Sequence, residues 1–546
     1  MQETLSKLSK GTVVSRSFPG LPSDVWTEII TSLEPLDVLT LNLVCKVLHD
    51  LLCERHTWVS ILRAICEKHA IFLPSFYPLS EMDLKQLQRT ALGRLRWANL
   101  IRKNAVQLQN INSPITLAPN SVSAFPHSVL SSEVNGQGER LLIPGGRFLL
   151  IGERNEVLLW DLGAAGRSPL LDPLLVDKLV FKPKDGTFLS VTVIPNGMNR
   201  LKVAVALEAK TSNEDLVKIY VYTIAPNEQK ATFRLLASLT TCLSSLNRFA
   251  GSPQMGFFLS LSGDRLFMRT SGRSIVWDFV HGNYALGHGN ISALPFQVVF
   301  TGDLVIELES DSVYIWKIPA LDCRTQDSPV IILDARSTPA QVLYPKKHSL
   351  KYPFRSEGPE NRFRNKIVVR SGWNQTPDLP IIFDLFRPSE VEDDDLDCVA
   401  AEGLRYQLKV DSNLADDQPP KAEITLLAAF KAPKHSAYYP STSSDLSANL
   451  VELGFPAPGQ FDNYLSDEML LLFGVYSVNI DPITNTKLNS DREPTGVPTA
   501  TMAVTKICDE SGTALWSMCS SSGRLVLSDV DSDTRKTSIR ITDYLS

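Results

Sequence analysis

The spacing of apolar residues changes once along the chain, near residue 105. Before that point apolar positions recur every three or four residues, the period of a helix with one buried face. Ser23 and Asp24 follow Leu21-Pro22 and predict a helix start, with Asp24 well placed for the dipole. Val25, Ile29 and Leu33 then form one stripe at i, i+4, i+8. Pro35 suits the first turn of a second helix, and Leu36, Leu39, Leu43, Val47 and Leu51 continue at spacings of three and four. A helical segment over 58–66 closes the group. Ser80-Glu81-Met82-Asp83 has the form of a capping box. It predicts a long helix to about Lys103, carrying Leu84, Leu87, Ala91 and Leu95.

Beyond residue 105 the period drops to two, and short β-rich runs alternate with Gly, Asp, Asn and Ser turns. The pairs 148–151 with 157–162, 201–207 with 217–224, 265–269 with 274–279 and 304–308 with 312–318 read as hairpins. So do 366–369 with 381–385 and 514–518 with 524–530. No long helical pattern interrupts them. The fold class expected is α+β and multidomain, a small all-α region followed by a large all-β one.

Composition narrows the function classes. Lys and Arg number 54 against 60 Asp and Glu, a net charge of −6, which disfavours bulk nucleic-acid binding. The apolar share of 43% is ordinary for a globular chain and allows a large core. No apolar leader precedes Arg16, and the longest apolar run, 469–476, is far below the roughly 20 residues of a membrane helix. The cysteines (45, 53, 66, 242, 323, 398, 508, 519) include no CxxC pair and no ligand-spaced cluster with His. They read as reduced thiols, so the expectation is a cytoplasmic or nuclear protein with no membrane partner, no metal and no cofactor.

Residues 21–62 are about half apolar, more than three short helices can hide from one another. The surplus must dock on the β region or on another protein. Leu21-Pro22-Ser23-Asp24-Val25-Trp26-Thr27-Glu28-Ile29-Ile30, then Leu33, Pro35, Asp37-Val38-Leu39, Leu41, Val44-Cys45-Lys46, Leu51 and Trp58, resembles the F-box. It departs at Leu48, where many members carry Trp. The resemblance implies binding to a Skp-type adaptor and, through it, to a cullin scaffold in an SCF ubiquitin ligase. The family's contact positions fall on Leu21, Pro22, Val25, Ile29, Leu33, Leu39, Val44, Cys45, Lys46 and Trp58. Some of these could instead fill the motif's own core. The helix over 81–103 then resembles a stalk holding a second domain away from the adaptor. The organisation expected is a flexible 1–17, an F-box at 18–65, a linker and stalk helix at 66–105, and the β domain at 106–546.

Within the β region Trp160-Asp161, Trp277-Asp278 and Trp316-Lys317 each end an apolar strand, as the closing strand of a WD-type repeat does. Gly287-His288 precedes Trp316 by a typical spacing with Asp303 between, so this stretch resembles one nearly complete WD repeat. In that family His288, Asp303 and Trp316 would share a structural hydrogen-bond network. Other intervals are irregular, with Tyr222 and Phe383 as possible holders of the Trp position. The expectation is an irregular β-propeller of six to eight blades; a pair of β-sandwiches is the alternative.

A propeller presents loops suited to gripping a peptide. Lys346, Lys347, His348, Lys351, Arg355, Arg362, Arg364 and Lys366, interleaved with Tyr352, Phe354 and Phe363, could hold an acidic or phosphorylated protein substrate. A solvated insertion loop is the plainer reading, as it is for the acidic run 390–397. Catalysis finds no support: there is no GxSxG, HExxH, GxxxxGK[ST] or strand-borne GxGxxG. The function expected is that of a non-catalytic substrate-recognition subunit, with an F-box scaffold acting without ubiquitin transfer as the alternative.

Overall fold

The computed structural model describes residues 21–107, 117–127, 138–153, 155–166, 172–182, 185–210, 215–242, 257–270, 273–287, 297–308, 313–318, 321, 331–333, 341–343, 366–370, 380–387, 401–411, 421–432, 450–456, 468–478, 499–511, 513–530 and 537–545. A small helical N-terminal region precedes a large all-β region of several separate sheets. The helices are α1 (Ser23–Ser32), α2 (Pro35–Leu41), α3 (Lys46–Leu52), α4 (Arg55–Lys68), α5 (Leu84–Ala91) and α6 (Gly93–Asn104). The chain divides into two compact units. One is the chain up to Ala64 with Met82–Ala91; the other is Ile65–Glu81 with the remainder from Leu92.

In the helical unit Pro35 occupies the first turn of α2, where its missing N–H costs nothing. The cap of α5 is reciprocal. The Gln86 N–H donates to Asp83 Oδ1 (2.7 Å) and the Asp83 N–H to Gln86 Oε1 (2.9 Å). The capping box therefore starts at Asp83, three residues later than expected. Ile30, Val38, Leu48, Leu52, Trp58, Ile61, Leu62 and Leu87 are the helical unit's most deeply buried large side chains. The Trp58 indole N–H donates to the Leu52 carbonyl (2.8 Å) and the Thr57 hydroxyl to that of Leu51 (3.0 Å), fixing the turn between α3 and α4.

The long helix expected over 81–103 is two helices, interrupted at Leu92 (φ −87°, ψ 2°), and each belongs to a different unit. The second begins at Gly93, where a Cβ would lie 2.0 Å from the Ser521 carbonyl oxygen. Only glycine permits that approach.

Sheet I comprises Gly138–Leu142, Phe148–Glu153, Glu156–Asp161 and Leu174–Val180 as an antiparallel meander. Sheet II repeats it with Thr187–Asn196, Arg200–Lys210, Asp215–Ile224 and Arg234–Cys242. Sheet III has Phe258–Ser262, Arg265–Thr270, Arg273–Asp278 and Asn283–Gly287, with Ile331–Leu333 added in parallel. Sheet IV has Gln297–Thr301, Leu304–Leu308, Val313–Lys317 and Gln341–Leu343.

Sheet V has eight strands. Lys366–Arg370, Ile381–Arg387, Ala401–Asp411 and Lys421–Ala432 form one meander. It joins Thr499–Ser511, Glu468–Val478 and Leu450–Pro456, with Val106–Gln107 on Thr499–Ser511. Sheet VI joins the two ends of the β region: Ser121–His127 pairs with Thr537–Asp543, followed by Arg524–Val530 and Thr513–Cys519. All six hairpins expected from the sequence pair as antiparallel neighbours.

Cores form between successive sheets. Phe148 and Leu159 of sheet I pack with Phe188 and Val203 of sheet II; Ala204 and Val221 of sheet II pack with Leu259 and Trp277 of sheet III. Phe267 of sheet III meets Phe300 of sheet IV (ring centroids 6.0 Å apart), and Ile306 of sheet IV packs with Phe383 and Tyr406 of sheet V. Val526 and Ile541 of sheet VI pack with Leu149 and Leu158 of sheet I. Helix α6 packs Trp97 and Ile101 on Met518, Leu525, Leu527 and Tyr544 of sheet VI, and its backbone runs beside Glu468–Val478 and Thr499–Ser511 of sheet V.

Polar groups bridge the same junctions. Lys202 donates to Asp264 (2.7 Å) between sheets II and III, and Arg269 pairs with Glu307 (2.5 Å) between III and IV. Arg524, fully buried, donates to both Asp543 carboxylate oxygens (2.6 and 2.7 Å) and to the Gly146 (2.8 Å) and Gly163 (2.7 Å) carbonyls of sheet I. Between sheets I and II, Glu139 accepts from the Ser190 hydroxyl (2.7 Å) and the Val191 N–H (2.8 Å). Burial pushes its carboxyl up to about 7, against the pull of those two hydrogen bonds.

Two outcomes follow. Removing one member of a buried pair leaves the other charge uncompensated, so Arg524→Ala should cost about 3–5 kcal/mol in denaturant unfolding. Glu139 keeps its proton to higher pH when folded than unfolded, where its ordinary value is 4.5. Its contribution to stability is therefore full below that value, declines as pH rises to about 7 and is level above. Glu139→Gln should raise the Tm by a few degrees at about pH 8, with the gain fading toward about pH 5. A pH-independent difference would contradict this.

Candidate functional site

The helical unit carries the largest group of exposed aliphatic side chains among the described residues: Leu21, Ile29, Leu36, Leu43, Val44 and Val47. Leu43 is 85% exposed and Val47 65%, far beyond what a packing role requires. They stand out because the chain leaves helical phase between α2 and α3. Asn42 is helical, but Cys45 is extended (φ −156°, ψ 162°), so the stripe entering the turn is not the stripe leaving it. Val38, Leu48 and Leu52 are buried instead. The continuous stripe 36–39–43–47–51 expected from spacing is thus corrected: it mixes exposed and half-buried positions on separate helices.

The ten positions assigned to adaptor contact divide three ways. Leu21, Pro22, Ile29, Val44 and Lys46 are exposed; Val25, Leu33, Leu39 and Cys45 are half-buried. Trp58 is 1% exposed and spends its only donor on Leu52, so it is a core residue of this unit. The spacing argument missed Leu36, Leu43 and Val47 as outward positions. The signal available was Asn42, a residue type favoured at helix ends, which caps α2. Cys66, deep in α4, has its thiol held far above the ordinary range by burial, so it is no nucleophile.

The predicted network of His288, Asp303 and Trp316 is not assembled among the described residues. His288 lies outside them. Asp303 sits in the turn between Gln297–Thr301 and Leu304–Leu308 and pairs across to Arg265 of sheet III. The Trp316 ring packs with Phe267, Val298 and Phe300, and its buried indole nitrogen has no hydrogen-bond partner among the described residues.

The Trp–Asp pairs have a different use. Asp161 receives Arg147 (2.7 and 2.9 Å) and the Gly163 N–H (2.9 Å), and Asp278 receives the His281 (2.9 Å) and Val280 (3.1 Å) N–H groups. Burial works to raise the Asp278 carboxyl, but its hydrogen bonds and the His281 ring hold it below the ordinary range. Each aspartate thus fastens the turn that leaves its strand.

Lys346, Lys347, Lys351, Arg355, Arg362 and Arg364 lie outside the described residues, as does the acidic run 390–397. Among the described residues no three His, Cys, Asp or Glu side chains are grouped to hold a metal ion, and no helix is long and apolar enough to cross a membrane.

No family model matches the chain, and no curated relative matches it. Solved structures align over about four fifths of the chain at low similarity. The N-terminal domain of Nup159 aligns at 10% identity over 78% of this chain and 98% of that one, with a TM-score of 0.29. The tricorn protease aligns at 8% identity over 78% and 34%, with a TM-score of 0.32. An alpha-L-arabinanase from Penicillium chrysogenum aligns at 9% identity over 79% and 99%, with a TM-score of 0.28.

The packing difference between Trp58 and Leu43 is measurable. Trp58→Ala should lower the stability of the full chain by about 3–5 kcal/mol. Leu43→Ala, at an open position, should stay within about 0.5 kcal/mol of the parent. Equal losses in denaturant unfolding would contradict the assignment of core and surface.

Proposed function

We propose that the chain is the substrate-recognition subunit of an SCF-type ubiquitin ligase, working in the cytoplasm or nucleus without catalytic residues of its own. The observation that carries this reading is the group of exposed aliphatic side chains in the helical unit, which falls on the Leu21-Pro22 to Val47 segment that resembles the F-box. An apolar group of this kind on a small helical unit is a docking face. Its occupant on this reading is a Skp-type adaptor, and through it a cullin scaffold. Leu21, Ile29, Leu36, Leu43, Val44 and Val47 are its anchors, with Lys46 at the rim and Val25, Leu33, Leu39 and Cys45 behind them.

The β region on this reading is a seven-bladed propeller that receives the protein substrate. Seven is the count when sheet V is taken as two four-stranded meanders, 366–432 and 450–511, the latter completed by Val106–Gln107. Support comes from cores linking sheets I to V in chain order, from the core linking VI back to I, and from the shared final sheet of the two chain ends.

The test is co-expression of the full chain with the Skp-type adaptor of the same cell. A stable complex is expected. Leu43→Asp with Val47→Asp should weaken it by about a hundredfold or more while the circular dichroism spectrum is unchanged, since central anchors contribute roughly 1–3 kcal/mol each. Absence of a complex with the parent, or a complex indifferent to the double substitution, would overturn the reading.

A further inference from the structure

Two of the β meanders accept a strand from elsewhere in the chain, and both do it in the same way. In sheet III the outer strand Asn283–Gly287 takes Ile331–Leu333 on its free side, in parallel, with Ala285 opposite Ile331 and Gly287 opposite Leu333. In sheet V the outer strand Lys421–Ala432 takes the start of Thr499–Ser511, again in parallel, with Ala429 opposite Thr499 and Phe430 opposite Ala500. That second strand is bulged: Leu427 is skipped where Arg405 and Tyr406 face Ala428 and Leu426. The addition begins just past the bulge.

Sheet I has the same construction and no addition. Its outer strand Leu174–Val180 is bulged at Val176, skipped where Leu159 and Trp160 face Asp177 and Leu175. The run that follows, 177–180, is longer than the three residues added to sheet III. No strand pairs with its outer side among the described residues. Leu174 is 66% exposed, Leu175 43% and Val180 55%, three open aliphatic side chains on one short strand. Proteins usually blunt such an edge with charge or a bulge that ends pairing. Here the bulge does not end it in the sister sheet, and of the strand's two charged residues Asp177 is taken up by the Phe233 N–H (2.7 Å), which leaves Lys178 among the three aliphatics. The outer strand of sheet II also exposes aliphatics up to its bulge, Leu235 (55%) and Leu236 (47%), but past it exposes Ser238 and Thr240, where sheet I exposes Lys178 and Val180.

We propose that the outer edge of sheet I, 174–180, is a strand-addition site for an extended aliphatic segment of a protein partner, bound in parallel. The occupant's chemistry follows from the molecule's own example, Ile331-Ile332-Leu333 on sheet III. Main-chain hydrogen bonds supply the grip and Leu174, Leu175 and Val180 the side-chain selection. That the partner is a substrate rests on the receptor reading; the site itself does not.

The probe is a fluorescein-labelled peptide of this chain's residues 328–336, which carries the aliphatic triplet, titrated into the full chain and followed by anisotropy. Saturable binding is expected, with slowed hydrogen exchange at the amides of 177–180. Leu174→Lys with Val180→Lys leaves sheet III untouched and changes only open positions, so it should keep the parent's Tm and weaken binding at least about tenfold. No saturable binding, or binding equal in the variant, would overturn the proposal. So would a concentration-dependent dimer lost in the variant, which would put a second copy of the chain on this edge. Adaptor binding is read on the same proteins: its absence beside intact peptide binding removes the receptor reading alone.

Discussion

Arg524 and Asp543 meet in a place where neither has access to water, and the folding of the β region turns on how that contact is satisfied. A buried charge is tolerable only when paired and fully hydrogen-bonded. Asp543 supplies the pair from the neighbouring strand, accepting from Nε and Nη2, and the Gly146 and Gly163 carbonyls of sheet I accept from Nη1. Sheet VI is thereby fixed to sheet I at the point where the two ends of the region come together. Ser121–His127 supplies its outer strand from the start of the region and the other three come from its end. If that junction opens, sheets I and VI lose the core of Leu149, Leu158, Val526 and Ile541 as well.

Helix α6 extends the same arrangement. Trp97 and Tyr544 lie 5.9 Å apart, ring to ring, and Gly93 lies against the Ser521 carbonyl. The helix therefore belongs to the β region, and the segment 93–127 contributes to three elements in turn: the packing under sheet VI, the edge of sheet V and the outer strand of sheet VI. A stalk independent of the β region is not what these contacts describe.

Much of this was legible in the residues, and the parts that were not have a common cause. Hairpins were visible because their signal is local: two period-two runs and a turn, as in Phe148–Glu153 with Glu156–Asp161. The exposure of Leu21, Ile29 and Val44 agrees with the outward positions that the motif's short spacing marks, whereas Leu36, Leu43 and Val47 were not marked by it. What failed depended on distant partners. The interruption before Gly93 is caused by a carbonyl more than 400 positions away, so periodicity ran straight through it. Trp58 matches a contact position by motif, but the Leu52 carbonyl draws it inward. No local pattern could show that Ser121–His127 and Thr537–Asp543 share a sheet.

That shared sheet is the claim on which the account stands or falls. Native-state hydrogen exchange on the full chain, resolved by peptide, tests it directly. Amides of Ser121–His127 and of Thr537–Asp543 should open with the same free energy and shift together when Arg524 is substituted, because they are two halves of one ladder. Free exchange in 121–127 beside a protected 537–543 would contradict it. The two ends would then be separate, and the β region would have to be described as an open set of sheets.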